Sequence, residues 1–176
     1  MIQIVLHEPE IPFNTGAIGR SCVATGSGLH LIEPLGFQLT DKYVKRAGMD
    51  YWSKLDLHRY VDYEAFLVQH PQLQFADDSP SGSAPHLWFA TTKARQCYAD
   101  VRFGPDDYIM FGKESAGIPE EILVQHPAAC IRIPMWGEIR SLNLSNSAAV
   151  ILYEALRQNH FEELNQRGAL HRLSWD

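Results

Sequence analysis

A run of small polar residues stands directly before the most regular amphipathic segment of the chain. Residues 141–147 read Ser-Leu-Asn-Leu-Ser-Asn-Ser, and apolar side chains recur at helical spacing through residues 144–158. A helix uses one such polar side chain as its N-cap, and Asn143 or Ser145 can supply it. The other polar groups exceed that structural need. This excess is the strongest sign of a functional site that the residue types alone provide.

A second unusual segment follows the apolar run of residues 108–111, which predicts a strand. It spans residues 112–119 and reads Gly-Lys-Glu-Ser-Ala-Gly-Ile-Pro. A glycine directly after a strand, and another five residues later, indicates a pocket walled by backbone. Glu114 could hold a polar group of a ligand or a partner. The alternative is a plain strand-to-helix turn with a capping glutamate, and composition by itself favours that alternative.

A third segment, residues 14–20, follows the first apolar run and reads Asn-Thr-Gly-Ala-Ile-Gly-Arg. Glycines at the start of a helix let a ligand or another chain approach the backbone, and Arg20 interrupts residues that are otherwise small and apolar. A tightly packed helix with a solvated arginine at its edge explains the same spacing. The chain contains neither GxGxxG nor GxxxxGK(S/T), which makes dinucleotide binding a poor match and excludes a P-loop NTPase.

The elements that position these loops are short apolar runs that alternate with helical patterns. Asn14 or Thr15 is predicted to cap the first helix and Asp62 the second. Strand-helix alternation predicts an α/β fold with a mostly parallel sheet flanked by helices, in which ligands bind beyond the carboxyl ends of the strands. The predicted strands are residues 2–6, 29–32, 57–61, 87–90, 108–111 and 130–133, and the predicted helices are residues 16–25, 62–69 and 144–158, a turn at 43–47 and a helix opening at 119–121.

Length and composition restrict the class of protein. A chain of 176 residues, 45% hydrophobic and 20% charged, suits one globular domain that folds without disulfides or metal. The net charge of −6 argues against a surface coated with cations, although it allows a local basic patch. Three separated cysteines, with no CxxC or HExxH, argue against a metal site. An acidic residue at position 8 and the lack of a long apolar run predict a cytoplasmic protein without a membrane partner.

Taken in chain order, the three loops resemble the three motifs of the SPOUT RNA methyltransferases. Residues 14–20 match the first motif, residues 112–119 the second, and residues 133–135 with 141–145 the third. Further strings are similar to one branch, the small TrmL-type tRNA (cytidine/uridine-34) 2′-O-methyltransferases. These strings are residues 7–12, 32–34, 46–51 and 91–93, and the resemblance runs from about residue 1 to residue 158.

The resemblance implies an α/β fold with a C-terminal trefoil knot that grips S-adenosyl-L-methionine, and a homodimer whose active site takes residues from both subunits. The implied reaction methylates the ribose 2′-hydroxyl of the wobble nucleotide in the tRNA anticodon stem-loop. The target would be cytidine or 5-carboxymethylaminomethyluridine at position 34 of leucine-type tRNA. Methylation of another tRNA position or of rRNA is an alternative, as are a non-catalytic cofactor-binding RNA chaperone and a small-molecule methyltransferase.

Site residues carry over from the motifs by position. Asn143 and Glu114 are expected to order the site. Arg20 is expected to face the substrate ribose across the dimer interface, either as the proton acceptor or as the group that binds the adjacent phosphate. The expected cofactor-binding residues are Ala90, Gly112, Ile133, Met135, Ser141 and Leu142.

Cations and aromatic residues are interleaved between residues 41 and 60, which indicates an RNA-binding patch, although a solvated face with buried aromatics is the alternative. We expect Lys45, Arg46 and Arg140 to contact RNA. Two regions differ from the short family pattern. Residues 77–85 are an acidic loop insertion in a domain spanning residues 1–160, and residues 161–176 form an additional tail.

Overall fold

The computed structural model describes residues 1–39, 51–75 and 84–175. Seven strands and four helices alternate along this part of the chain. The strands are β1 (Gln3–His7), β2 (Gly28–Ile32), β3 (Leu57–Tyr60), β4 (Leu87–Ala90), β5 (Gln96–Cys97), β6 (Tyr108–Phe111) and β7 (Cys130–Arg132). The helices are α1 (Pro12–Thr25), α2 (Tyr63–Gln69), α3 (Glu120–Leu123) and α4 (Leu144–Gln158).

All strand pairs in the sheet are parallel, and the strand order is β3-β2-β1-β6-β4-β7-β5. Every residue of β2 and of β6 is buried, because helices cover both faces of a parallel sheet. The predicted α/β fold with a mostly parallel sheet is therefore confirmed. The C-terminal trefoil knot stays a prediction of the resemblance.

Helices α1 and α4 pack against each other and against one face of the sheet. The inner side of α4 is apolar, and Ile151 and Leu152 are each 1% exposed. Burying a side chain of this size contributes about 1.5–3 kcal/mol relative to leaving it in water. The other face of the sheet packs against α2, where Phe66 is fully buried. The two faces together hold the carboxyl ends of the central strands in fixed positions.

Most predicted elements are confirmed within two residues, and Asp62 caps α2 as expected, since its carboxylate accepts from the Ala65 amide at 2.7 Å. The predicted start of the first helix is wrong. Helix α1 begins at Pro12, in the first-turn position that proline favours, and Ile11 precedes it without a side-chain cap. Neither Asn14 nor Thr15 is therefore a cap. The predicted turn at residues 43–47 lies outside the described residues.

The C-terminal tail starts on the core and then leaves it. Phe161 and Leu164 pack against the cluster formed by α1, α4 and the sheet. Residues 165–175 are exposed, with Trp175 77% accessible. Residues 76–83, which include most of the predicted loop insertion, lie outside the described residues. Within the described ranges, no helix is long and apolar enough to cross a membrane.

A chain of polar side chains crosses the α2 face of the sheet. The His30 ring donates from Nε2 to Gln3 Oε1 at 2.9 Å, which leaves Nδ1 to accept from the Tyr60 hydroxyl at 2.8 Å. The Tyr60 oxygen in turn accepts from His70 Nε2 at 2.8 Å. This arrangement requires a neutral His30. Burial, followed by the nearby His58 and His70, lowers the pKa of His30 to about 3.

The lowered pKa predicts an acid-sensitive fold. The unfolded chain gains a proton at His30 below its ordinary pKa of 6.5, whereas the folded chain resists it until about 3. Stability is therefore full above pH 6.5 and is lost as the pH falls toward 3. Between pH 7.5 and pH 5 we expect His30 to account for a loss of about 2 kcal/mol in the free energy of unfolding.

Urea unfolding at the two pH values measures this loss. The variant His30→Asn removes the titrating ring and keeps an acceptor for Tyr60, so its stability should fall less between the two pH values. His171→Asn, in the exposed tail, is the matched control and should behave as the unmodified protein does. A pH dependence that is identical in His30→Asn would contradict this assignment.

Candidate active site

A cleft of about 470 Å³ opens where the carboxyl ends of β4, β6 and β7 meet. Its walls come from the residues that follow these strands and from the start of α4. This is the position in which parallel sheets bind ligands, because the loops of neighbouring strands converge there. All six predicted cofactor-binding residues line the cleft: Ala90, Gly112, Ile133, Met135, Ser141 and Leu142. Glu114, Arg140 and Asn143 line it as well.

Glu114 binds the start of α1 rather than an external group. Its carboxylate accepts from the Glu10 amide at 2.8 Å, from the Ile11 amide at 3.3 Å and from Asn14 Nδ2 at 2.9 Å. Helix α1 has no side-chain cap of its own, and a carboxylate beside its first turn complements the positive end of the helix dipole. The capping glutamate considered from composition is therefore real, but it caps a helix that lies 100 residues earlier in the chain.

Asn14 connects this carboxylate to the loop that precedes α4. Its side-chain oxygen accepts from Asn143 Nδ2 at 3.0 Å, while its amide donates to Glu114. Asn143 also caps α4, since its Oδ1 accepts from the Ser145 amide at 2.9 Å and from the Ser145 hydroxyl at 2.6 Å. The relay Asn143–Asn14–Glu114 thus joins all three sequence loops. Part of the polar excess before α4 serves to hold Asn143 in place.

Two further contacts join residues 8–10, which follow β1, to the second loop, residues 112–119. The Glu10 carboxylate accepts from the amide and the hydroxyl of Ser115 at 2.9 and 2.8 Å, and these bonds lower the pKa of Glu10. Lys113 forms an ion pair with Glu8 at 2.7 Å, and this hydrogen bond raises the pKa of Lys113. The two charged side chains of residues 112–119, Lys113 and Glu114, are therefore both bound by residues 8–14. These contacts fix the cleft wall on that side.

Gly112 is required by the fold of its own loop. A Cβ at this position would lie 2.0 Å from the Gly117 carbonyl carbon and 2.1 Å from the Ile118 nitrogen. The second loop folds back on itself here, with Lys113 and Gly117 paired as an isolated antiparallel bridge. Residues 111–117 line the cleft, and the ligand-binding role predicted for this pocket stays a prediction. The absent side chain makes room for the returning chain, which then forms the cleft wall.

Two cations lie at the mouth of the cleft. Lys93 is paired with Glu120 at 2.9 Å, and that hydrogen bond lowers the pKa of Glu120. Arg140 is exposed, and it forms no ion pair with any residue that the structure describes. Arg140 is therefore available to an anionic ligand.

Arg20 is the predicted site residue that the structure does not bring to the cleft of its own chain. It is exposed on the outer side of α1, with its guanidinium carbon 5.1 Å from the centre of the Tyr51 ring. The Tyr51 hydroxyl donates to the Gly16 carbonyl at 2.6 Å, and the Trp52 and Leu55 side chains lie against Gly19. The glycines of α1 are thus approached by residues 51–55 of the same chain. Lys45 and Arg46 lie outside the described residues.

Sequence reasoning missed Asn14, Glu10 and Ser115 as site residues. Asn14 has the residue type of an N-cap and was assigned to that role. Glu10 and Ser115 act across 105 residues of sequence, and no local spacing signals such a contact. The burial of Asn14, which obliges its amide to find a partner, is visible only in the structure.

In the described part of the chain, no group of three or more His, Cys, Asp and Glu side chains is placed to hold a metal ion. The cleft instead offers apolar side chains, backbone groups and a few fixed polar atoms. Such a lining is typical of a site for an organic ligand of moderate size.

Replacing Gly112 by alanine should separate the two halves of the second loop. The added methyl group cannot coexist with backbone atoms 2.0 Å away, so we expect a lower melting temperature and loss of ligand binding in the cleft. Differential scanning calorimetry and titration of the cleft ligand measure the two effects. Gly168→Ala, where nothing lies within 4 Å of the added atom, should leave both unchanged. A stable, fully binding Gly112→Ala protein would disprove the steric account.

Comparison with known sequences places this chain among RNA-modifying proteins. The SpoU rRNA Methylase family matches residues 1–153. The chain is 46% identical over 160 residues to the tRNA (cytidine(34)-2′-O)-methyltransferase of Escherichia coli K12, covering 90% of this chain and 94% of that protein. It is 45% identical over 159 residues to the protein of the same name from Yersinia pestis, with 90% and 94% covered.

Solved structures agree with these sequences. A Bacillus anthracis structure superposes with a TM-score of 0.84 at 37% identity, covering 96% of this chain and 100% of that one. A structure from work on the 2-OH methylation of C/U34 on tRNA superposes with a TM-score of 0.79 at 39% identity. The match covers 91% of this chain and 97% of that one. An AdoMet-bound rRNA methyltransferase from Sinorhizobium meliloti superposes with a TM-score of 0.69 at 26% identity. The match covers 89% of this chain and 56% of that one.

Proposed function

The chain belongs to the SpoU methylase family, and from that premise we propose that it methylates the ribose 2′-hydroxyl of nucleotide 34 in tRNA, with S-adenosyl-L-methionine as methyl donor. A fold alone does not define a reaction, so the proposal depends on the site. One observation carries it. The relay Asn143–Asn14–Glu114 gathers three separate loops into one cleft lined by all six positions that the family motifs assign to the cofactor.

The cleft suits S-adenosyl-L-methionine in size and lining. Its volume of about 470 Å³ falls in the range of small-molecule sites. Ile133, Met135 and Leu142 offer apolar surfaces to a purine ring, and the loops after β6 and β7 offer backbone groups. The cofactor, when bound, supplies a methyl group on a sulfonium centre, which is the electrophile. The AdoMet-bound relative supports this assignment at the level of the family.

The chain's own residues must position the ribose 2′-hydroxyl, which is a poor nucleophile, and promote the loss of its proton. Asn143 and Glu114 are already engaged in the relay, so their role is to order the site. Arg20 carries a planar guanidinium on an exposed helix face. It binds the phosphate next to the target ribose through its paired N–H groups and so orients the hydroxyl, a role that requires it to lie beside the ribose.

A second copy of the chain would bring Arg20 to the cleft. The exposed side of α1 carries Phe13, Ala17, Arg20 and Ala24, and Phe13 is 73% exposed. The neighbouring α4 exposes Val150 and Tyr153 at 39% and 47%. Apolar side chains aligned on two adjacent helices favour a homodimer interface. In such a dimer the arginine of one subunit serves the cleft of the other.

We propose that Arg140 at the cleft mouth contacts the RNA, and the sequence predicts the same role for Lys45 and Arg46, which lie outside the described residues. A basic patch of this kind is compatible with a net charge of −6 because binding depends on local charge. An rRNA substrate is the second candidate, and it is favoured by the rRNA relative at 26% identity. The tRNA relatives at 45% and 46% identity, matched over 90% of this chain, favour tRNA more strongly.

Mass spectrometry of nucleosides from tRNA treated with enzyme and S-adenosyl-L-methionine tests the reaction. We expect a 2′-O-methylated pyrimidine nucleoside, and fragment mapping should place it at position 34. A reaction without methyl donor is the control, and purified rRNA in place of tRNA distinguishes the second candidate. Methylation of a base, or of rRNA alone, would refute the proposal.

Replacing Arg20 by alanine should abolish turnover while the affinity for S-adenosyl-L-methionine stays within about twofold, because Arg20 does not line the cleft of its own chain. Arg167→Ala, an exposed arginine of the tail, is the matched control. Single-turnover methylation and calorimetric titration measure the two properties. Equal loss of both would show that Arg20 supports the fold instead.

Mixing two inactive proteins tests whether the site is shared. Arg20→Ala is combined with Leu142→Trp, which fills the cleft, and the subunits are allowed to exchange. Random exchange makes about half of the dimers mixed. In a mixed dimer the open cleft of the Arg20→Ala subunit receives the arginine of the other subunit, whereas the Leu142→Trp cleft stays filled. About one site in four is then intact, so activity should return to about a quarter of the unmodified level. Mixtures that stay inactive despite demonstrated exchange would place Arg20 at its own chain's site.

A further inference from the structure

Trp136 is the most exposed large apolar side chain of the described residues, with 93% of its surface accessible. It lies in the loop of residues 134–142, between β7 and α4. Met135 on one side of it, and Arg140 and Leu142 on the other, line the cleft, whereas Trp136 does not. The same loop that walls the cleft therefore presents an indole to solvent at its rim.

An exposed indole at this place is not explained by packing within the chain. Aromatic side chains of this size normally bury 150–250 Å², and a Trp that is almost fully accessible forgoes that gain. Ile139, three residues later, is also 62% exposed. Gly137 has a φ of 64° and nothing within 4 Å of where its Cβ would lie, so the chain turns sharply into open space after Trp136. Two large apolar side chains exposed three residues apart in a loop that lines a site are candidates for a recognition surface.

We propose that the Trp136 indole is a stacking platform for an unpaired base of the RNA substrate that flanks the methylated nucleotide, with Arg140 binding the adjoining phosphate. This inference rests on the proposed function, because it assigns part of the substrate contact at the same cleft. Single-stranded RNA is recognised by aromatic side chains that stack on splayed bases, together with cations that follow the backbone.

The position of Trp136 favours a nucleobase over a second copy of the chain. Whatever is methylated must pass the mouth of the cleft, and the bases next to the target nucleotide must then lie at its rim. Trp136 and Arg140 are four residues apart on that rim, which provides a stacking surface and a phosphate-binding fork together. The dimer surface that we propose consists of exposed side chains of α1 and α4, and Trp136 belongs to neither helix.

The test uses a fluorescent RNA hairpin with the sequence of the tRNA anticodon stem-loop, and binding is measured by anisotropy without turnover. Trp136→Ala should weaken binding about tenfold, which corresponds to about 1.4 kcal/mol. Trp136→Phe should recover most of the loss, because a smaller ring still stacks. Affinity for S-adenosyl-L-methionine should not change. Trp175→Ala is the matched control, since this indole is 77% exposed in the tail.

Hairpins with one abasic loop nucleotide at a time identify the stacked base. At one flanking position, removing the base should weaken the unmodified protein about tenfold and leave Trp136→Ala unaffected, since the partner of the indole is already gone. Equal affinity of Trp136→Ala and the unmodified protein for the intact hairpin would overturn the inference, as would additive losses at every position.

Sedimentation of Trp136→Ala tests whether a second copy of the chain, and not RNA, covers the indole. A shift from dimer to monomer would place the indole in the subunit interface and overturn the assignment to RNA. Because binding is measured without methylation, a protein that binds the hairpin through Trp136 but does not methylate it would refute the proposed reaction alone. A protein that methylates position 34 equally well with and without the indole would refute this inference alone.

Discussion

The site depends on one hydrogen-bonded relay between side chains that are far apart in sequence. Asn14 donates to Glu114 and accepts from Asn143, across separations of 100 and 129 residues. Bonds to a carboxylate are among the stronger hydrogen bonds in proteins, and an unmatched partner in a partly buried place is costly. The relay therefore fixes the relative position of the three loops. It acts together with the Glu10–Ser115 and Glu8–Lys113 contacts, which hold two of the same loops.

Helix α1 connects this constraint to the outside of the molecule. Its first turn is held by Glu114, and its exposed side carries Arg20 about two turns further on. Residues 51–55 pack on the glycines of the same helix and set the surroundings of that arginine. Helix α1 thus contacts the cleft of its own subunit at one end. In the proposed dimer, the same helix carries the arginine that reaches the cleft of the other subunit.

The sheet and α4 could be predicted from sequence, because short buried runs and a regular apolar stripe are local signals. Strand β5 could not, since Gln96 and Cys97 are too few for a pattern and are strand only through pairing with β7. The walls of the cleft followed from motif resemblance. The role of Asn14 was not predicted, because asparagine also suits the N-cap of a helix. Only its partners in the folded chain distinguish a cap from a member of the relay. Gly112 was recognised as special, although its reason, a returning backbone, is visible only in three dimensions.

The order of the strands has a consequence for the timing of synthesis. Strand β1 leaves the ribosome long before β6, which is one of its two neighbours in the sheet, and the relay is complete only when Asn143 has also emerged. Until residues 108–111 have emerged, one edge of β1 has no partner strand and the central sheet stays open. A nascent chain that stalls before Asn143 can pair β1 with β6, but it lacks the bond between Asn143 and Asn14, so its cleft would be incomplete.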